Sequence, residues 1–303
     1  MRGVLVVDKP AGPTSHDVVM MVKKRLRARK VGHIGTLDPF ATGVLPLCIN
    51  DATRLARFLE DGKKEYIATI KLGEETDTYD KEGRVVARED TTSINREDII
   101  SVLMSFKGRI QQVPPIFSAI KVNGTPLYRL ARQGVIVERK PKEVEIYDIE
   151  IKDIEAPFVS IRIVCSKGTY IRSLAFDAGR RLGCGAHLIS LRRTKNGHFS
   201  LEQSISIDKL EGVKEDFLKE NIISIERLFA NIPDIEVDKN LAERIIHGVW
   251  PKLSQFDSKK DFLSSIECNE MVRFTLNGRI IALARHKGNN EFKLEKVFQE
   301  QLQ

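Results

Sequence analysis

Apolar and polar positions switch between two periodicities along this chain, and the switches outline its elements. The run Val4-Leu5-Val6-Val7 reads as a buried strand, closed by the turn Lys9-Pro10-Ala11-Gly12-Pro13. Ser15 is the expected N-cap of a helix that gathers Val18, Val19, Val22 and Leu26 on one face. Residues 32–46 are the least regular stretch, too broken by Gly and Pro for a helix and too apolar for a solvent loop. Asp51 is expected to cap a short helix through Leu55 and Leu59, ended by Gly62. Residues 66–72 alternate as a half-buried strand and 84–88 suggest another; Asn95 is expected to cap a helix through Ile99, Leu103 and Phe106. Pro114, Pro115, Gly124, Pro126 and Gly134 surround one helical piece at 127–133, so residues 113–139 read as a projecting insertion. Two strong strands are predicted at 143–154 and 159–165, then an amphipathic helix over 170–182 ending at Gly183, and a strand at 188–192.

This order predicts an α+β body, a mixed and mostly antiparallel sheet with helices packed on it. The pattern weakens around residues 221–233, where a domain boundary is expected. Beyond it come a helix at 240–246 stopped by Gly248, and strands at 271–275, 279–284 and 292–297. Asn277-Gly278 signals a hairpin between the first two of these strands. The chain is therefore divided into a body of residues 1–230 and a small C-terminal β-rich unit of residues 231–303.

With 303 residues, 42% hydrophobic and 30% charged, the composition is that of a globular protein with a proper core. No apolar run reaches membrane-spanning length, and Asp8 comes too early for a secretory signal. Cys48, Cys165, Cys184 and Cys268 are widely spaced without a CxxC pair, which suits reduced thiols in a cytoplasm. Cys184 and His187 could form half a zinc site, but no second pair completes it, so no metal is expected. The net charge of +7 is concentrated in clusters: Lys23 to Lys30, Arg129 to Lys142, and Arg192 to Lys195. Such clusters between apolar segments favour a polyanionic partner, RNA or DNA.

Candidate chemistry begins at Asp38, a lone carboxylate stiffened by Pro39 among Leu37, Phe40, Val44 and Leu45. The plain reading is that Asp-Pro opens a turn. Arg172 falls near the start of the helix expected after Gly168, where a cation opposes the helix dipole. Either it is exposed, or it pairs with an anion, and Asp38 is the obvious candidate. Tyr66, beside Lys63 and Lys64, is either a cross-strand aromatic or a ring on which a base stacks. The chain has no P-loop and no GxGxxG, so nucleotide cofactors lack their usual cradle. Gly32-His33-Ile34-Gly35 matches the KH signature, but Thr36-Leu37-Asp38-Pro39 opens no helix after it.

Lys9-Pro10, Gly32 to Pro46, Lys64 with Tyr66 and Leu72-Gly73, Thr76-Asp77-Thr78-Tyr79-Asp80, Cys165 to Arg172 and Gly183 to Arg193 occur together in this order. In these motifs the chain resembles the bacterial tRNA pseudouridine-55 synthases of TruB type, densely from Gly3 to Arg193 and more faintly through the tail. The resemblance implies a pseudouridine-synthase catalytic body, a tail of PUA-like RNA-binding type, and a cofactor-free isomerisation of a flipped uridine in the TΨC loop. By the same resemblance Asp38 is the nucleophile, Arg172 its ion-pair partner, and Tyr66 the ring stacked on the base, with a possible part in proton removal. Tyr170 and Leu191 would line the base pocket, His33 would fill the place of the flipped uridine, and Asp80 would contact neighbouring nucleotides. Lys9 and Lys64 complete the substrate set, Lys9-Pro10 matching a motif that braces the site. Arg129, Arg132 and Arg139 in the thumb-like insertion, with Arg192 and Arg193, are the expected RNA contacts. Phe40 departs from the family pattern, where a leucine is expected. The implied partner is tRNA, gripped at the T-arm and elbow by a cytoplasmic monomer without membrane or nucleotide cofactor. Two alternatives are a non-catalytic tRNA-folding protein and the same chemistry on another RNA.

Overall fold

Alternate side chains of the strand Gly3–Lys9 enter two different cores. Leu5 and Val7 pack with Leu45 and Leu47 into one, and Val4 and Val6 with Val44 and Cys48 into the other. The computed structural model describes residues 2–60, 62–118, 120–122, 124–135, 137–212, 215–256, 266–288 and 291–298. Its main sheet runs Ile205–Ser206, Gly3–Lys9, Thr42–Ile49, Ala186–Asn196, Lys64–Leu72, Phe158–Cys165, Lys142–Glu155, Gly108–Gln112. Neighbours along this path are antiparallel except at two places. Gly3–Lys9 runs parallel to Ile205–Ser206, and Thr42–Ile49 parallel to Ala186–Asn196. The α+β architecture with a mostly antiparallel sheet therefore stands as expected.

Helices Ser15–Arg25, Arg96–Met104 and Ile171–Leu182 cover one sheet face with Val18, Val22, Ile99, Leu103, Leu174, Ala175 and Ala178. Asn95 caps its helix in a reciprocal capping box with Asp98, as the sequence pattern predicts. At the first helix the cap is Thr14, not Ser15. Ser15 is buried, and its hydroxyl is spent on the backbone of Leu37. Asp51 caps nothing: Asn50–Leu55 is a 3-10 turn without a side-chain cap, followed by the short helix Ala56–Leu59. Asp51 instead meets Arg29 at 3.4 Å.

The stretch read as one irregular segment is mostly sheet. Val31–His33 and Thr42–Ile49 pair with each other, and only residues 34–41 are irregular. Thr42–Ile49 is apolar and β-branched enough to be a central strand, but Gly43 and Pro46 hid it. The glycine is required where that strand crosses Ala186–Asn196. Gly43 has φ +106°, and a Cβ there would lie 2.1 Å from the Arg193 carbonyl oxygen.

Among the described residues after 233 there is a four-stranded sheet in the order Asp234–Glu236, Met271–Leu276, Arg279–His286, Phe292–Val297, with helix Lys239–Ile246 packed on it. Asn277 and Gly278 turn the hairpin with φ of +50° and +71°, the values that turn demands. This unit does not rely on its own core alone. Ile280, Leu283 and Phe298 join Val4, Val6 and Val44 in a shared cluster against the back of the main sheet. The weak stretch before it is tied to the body as well, through Ile223–Ser224 paired antiparallel with Gly3 and Val4.

Candidate active site

Asp38 sits midway along residues 34–41, and the backbone carrying it is bonded from outside almost throughout. Asn196 Nδ2 donates to the Ile34 carbonyl at 2.8 Å. Arg193 Nη2 and Nη1 donate to the carbonyls of Gly35 and Thr36 at 2.9 and 3.3 Å. Ser15 Oγ donates to the Leu37 carbonyl and accepts from its amide, both at 2.9 Å. The Asp38 carbonyl accepts from the Ala41 amide at 3.1 Å, and that of Pro39 from the Gly12 amide at 2.9 Å. Lys9 Nζ donates to the carbonyls of Pro39, Ala41 and Pro10 at 3.0, 2.7 and 2.8 Å, using all three of its protons.

Two of these anchors are cations buried to 0% exposure, Lys9 and Arg193. Burial pulls the Lys9 ammonium down to about 8. Such groups are costly to bury and persist only when their donors are satisfied, which the loop carbonyls achieve. Arg193, expected on the RNA surface, is thus a correction: its Nε donates to Val44 at 2.8 Å, and its guanidinium bonds the Tyr66 hydroxyl. The two residues face each other across neighbouring strands. Lys64 is buried beside them, and burial followed by the Arg193 charge lowers its ammonium pKa. A side chain at Gly35 (φ +70°) would meet Lys64 Nζ at 3.0 Å.

The Asp38 carboxylate meets Arg172 in a fork. Nε lies 2.8 Å from Oδ2, without the alignment of a hydrogen bond, and Nη2 donates to Oδ1 at 3.0 Å. Arg172 is itself only 4% exposed. Its Nη1 contacts Asp80 Oδ2 at 3.2 Å and donates to the Thr78 carbonyl at 3.1 Å, while Nη2 also reaches the Phe117 carbonyl at 2.9 Å. Two carboxylates offset both the buried charge and its unfavourable place in the first turn of helix Ile171–Leu182. Burial pushes the Asp38 carboxyl above its ordinary range and Asp80 adds to this, while Arg172 opposes both. The Asp38 side chain nonetheless keeps 31% of its surface open, although both of its oxygens meet Arg172.

Asp80, expected to touch nucleotides, has its carboxylate committed elsewhere. Beyond Arg172 it accepts from Thr78 Oγ1 at 2.7 Å and from the Glu82 amide at 3.0 Å. Tyr79 between them holds φ +65°, a strained value for a bulky residue, and its ring stacks on Phe176 at 3.9 Å. That stack fixes the turn presenting the Thr78 carbonyl and Asp80 to Arg172.

Tyr66 and Leu191 are each 6% exposed, on neighbouring strands. Burial raises the Tyr66 phenol to about 12, so it stays protonated at neutral pH. Tyr170 is half-buried at the N-cap of the Arg172 helix, and the Gln112 side-chain amide bonds both its N–H and its carbonyl, at 2.8 and 2.9 Å. His33, half-buried before the loop, has a ring Nδ1 with no partner; burial, then Arg193, lowers its pKa.

Arg192 is 39% exposed and holds Asp8 at 2.7 Å. In the insertion Arg129 is exposed over the Tyr128 ring, and Arg139 donates to the Pro114 carbonyl at 3.0 Å. The side chain of Arg132 lies outside the described residues. The insertion is a short hairpin followed by helix Leu127–Arg132, and its base reaches the site through Phe117. Among the described residues no group of His, Cys, Asp or Glu could hold a metal ion. Sequence reasoning missed Ser15, Gln112 and Asn196, and gave Arg193 the wrong role. Only Arg193 carried a signal: it shares strand parity with apolar Leu191, so it faces the same way.

A family model described as the N-terminal domain of TruB family pseudouridylate synthase matches residues 23–171. One described as the tRNA pseudouridylate synthase B C-terminal domain matches residues 172–230. A Clostridium tetani protein named tRNA pseudouridine synthase B is 43% identical over 98% of this chain and 99% of its own. A protein of the same name from Clostridium acetobutylicum is 48% identical over 82% of this chain and 85% of its own. Among solved structures, a Cbf5-Nop10-Gar1 complex is similar with a TM-score of 0.70 and 29% identity, over 97% of this chain and 84% of that one. An H/ACA RNP bound to a substrate RNA containing 2'-deoxyuridine gives 0.69 and 27%, over 98% and 86%. Fold and matches together define a pseudouridine-synthase architecture. The chain belongs to the TruB family of pseudouridylate synthases.

Proposed function

We propose that this protein converts uridine 55 in the TΨC loop of tRNA to pseudouridine, with Asp38 as nucleophile and no cofactor. The carrying observation is a partly exposed carboxylate whose two oxygens are clasped by a buried guanidinium, on a backbone bonded nearly carbonyl by carbonyl. Relatives matching almost the whole chain are named tRNA pseudouridine synthase B, which favours tRNA as substrate. The reaction is an isomerisation: the N1–C1′ bond breaks, the base turns, a C5–C1′ bond forms, and the C5 proton leaves while N1 gains one. Atoms and electrons balance without oxidant or group donor.

Arg172 keeps Asp38 ionised against its burial and fixes its orientation. Tyr66, protonated at neutral pH, serves as a stacking ring and hydroxyl donor rather than as a resting base. Tyr170 and Leu191 line the place of the extruded base, and His33 fills the gap it leaves. Extrusion costs a few kcal/mol, which backbone contacts from Arg129, Arg139 and Arg192 offset. The tail contributes RNA affinity as a PUA-like unit, and the protein works as a cytoplasmic monomer on the T-arm and elbow. Buried free Cys48, Cys165 and Cys184 suit a reducing compartment.

A second reading keeps the chemistry and changes the RNA, since a similar structure is an H/ACA RNP with substrate RNA. One experiment tests both. Purified protein is incubated with an unmodified tRNA transcript and no added cofactor, and pseudouridine is mapped. Modification confined to position 55 is the expected result; no modification of the transcript overturns the proposal.

A further inference from the structure

The first basic cluster of the sequence, residues 23–30, takes no part in the site above. Its end meets residues 50–51. Arg29 reaches Asp51 at 3.4 Å, and Lys30 is tied to Asn50 through paired bonds of 2.8 and 3.2 Å. The turn and helix that follow carry Arg54 and Arg57, both exposed. Arg57 in turn crosses to the tail, donating to the Glu295 carbonyl at 2.8 Å and meeting its carboxylate at 3.6 Å. Lys296 lies beside Asp51, Arg54 and Arg57, and Arg285 beside Glu295 at 3.9 Å. Body and tail thus share one basic seam.

The charges in it are unequally placed. The side chains of Asp51 and Glu295 are 14% and 21% exposed, whereas those of Arg29 and Arg57 are 69% and 64% exposed. The carboxylates lie beneath and the guanidinium tips face outward. Burial first, then the Arg54 and Arg57 charges, lower the Lys296 ammonium pKa, and Asp51 opposes them. Clustered, outward cations over covered acids are a phosphate footprint. Phe58 lies under the Arg57 guanidinium, 4.6 Å from its ring, so the seam offers charge rather than a stacking face. That favours the backbone of a helical stem over an unpaired strand. The strand Thr42–Ile49 runs from the seam to the far end of the Asp38 loop, a span of roughly 25 Å at strand rise, while the near end of the loop, Ile34, bonds Pro46 partway along it.

We propose that the seam formed by Arg29, Lys30, Arg54, Arg57, Arg285 and Lys296 binds the phosphate backbone of an RNA stem outside the arm that enters the catalytic cleft. The inference rests on the reading of tRNA as substrate. The seam sets affinity for the whole RNA, and the cleft sets chemistry.

The test uses the full-length protein with two RNAs, a complete tRNA transcript and an isolated T-arm hairpin, at several salt concentrations. R54E/R57E is expected to weaken transcript binding about tenfold near 100 mM salt and to flatten the log–log salt slope by about 2. Binding of the hairpin and single-turnover rate on it are expected to match wild type. R54Q/R57Q, without reversed charge, is expected to move the transcript alone by a smaller factor. Unchanged transcript affinity and slope in both variants overturn the seam, as does equal loss on both RNAs. Wild type that forms no pseudouridine, with variants that still lose transcript affinity selectively, sinks the catalytic reading and leaves the seam standing.

Discussion

The loop of residues 34–41 and the insertion of residues 113–139 both border Asp38 and Arg172, yet they are held in opposite ways. Side chains from three separate elements, Lys9, Ser15, and Arg193 with Asn196, bond the loop carbonyl by carbonyl. The insertion is fastened at its base, by Ser173 Oγ to the Val113 carbonyl, Arg139 to Pro114 and Arg172 to Phe117. The contrast separates two tasks. Under the proposed function Asp38 reacts, and a reacting carboxylate works only if its position is fixed within a fraction of an ångström, which a network of buried polar bonds achieves. Under the proposed function, an element that closes on a large RNA gains from being joined to the body at its base.

The sharpest break in this contrast is at the residue both regions share. Arg172→Met leaves Asp38 and Asp80 facing each other without a cation, and takes a donor from Phe117. Single-turnover pseudouridine formation is expected to fall at least 10³-fold, with unfolding free energy lowered by about 3 kcal/mol. Wild-type rates measured by tritium release from C5-labelled uridine would show that the clasp is dispensable.

Next in size is the loop alone. Arg193→Met orphans the carbonyls of Gly35, Thr36 and Val44, and an expected loss of about 3 kcal/mol appears in urea unfolding. Arg193→Lys is expected to restore part of the stability and less of the turnover, because an ammonium cannot span three carbonyls in one plane. Equal recovery of both would mean that the geometry of the clamp is irrelevant. Arg129→Ala with Arg139→Ala gives the complement: affinity for tRNA about tenfold weaker, a flatter salt slope, and unfolding free energy within about 0.5 kcal/mol of wild type. A large stability loss there would erase the distinction between the two regions.

The smallest effect is a displacement in pH. Because burial raises the Asp38 carboxyl, the acid limb of the single-turnover rate is expected above the ordinary carboxylate range. The linkage has the matching sign. An acid whose folded pKa is raised contributes stability below its unfolded value and loses it as pH rises through the folded one. Asp38→Asn is therefore expected to remove that pH-dependent loss, visible as a flatter stability profile between the two values. An acid limb at the position of an exposed aspartate would place the carboxylate in open water.

Much of this was legible in the residues themselves. Alternation and caps marked Asn95, Gly183 and the tail hairpin because those signals are local and the chemistry of one residue decides them. The Asp38–Arg172 pair was legible as two ill-placed charges of opposite sign, each needing the other. The clamp was not. Lys9 was named only through the resemblance, as part of a bracing motif; Ser15, Arg193 and Asn196 act on backbone carbonyls, which every residue possesses, so nothing in the loop sequence names these donors. Arg193 next to Arg192 looks like one basic patch, although strand parity turns the first inward and the second outward. The strand Thr42–Ile49 was hidden for a related reason. Its Gly43 answers to a neighbour distant in sequence, the Arg193 backbone.

The account turns on Asp38 as the reacting group, and the most direct test is pseudouridine formation by Asp38→Asn on an unmodified tRNA transcript. The expected result is no detectable product under single-turnover conditions, with tRNA affinity within about threefold of wild type. Product formed at a rate within tenfold of wild type would contradict the account.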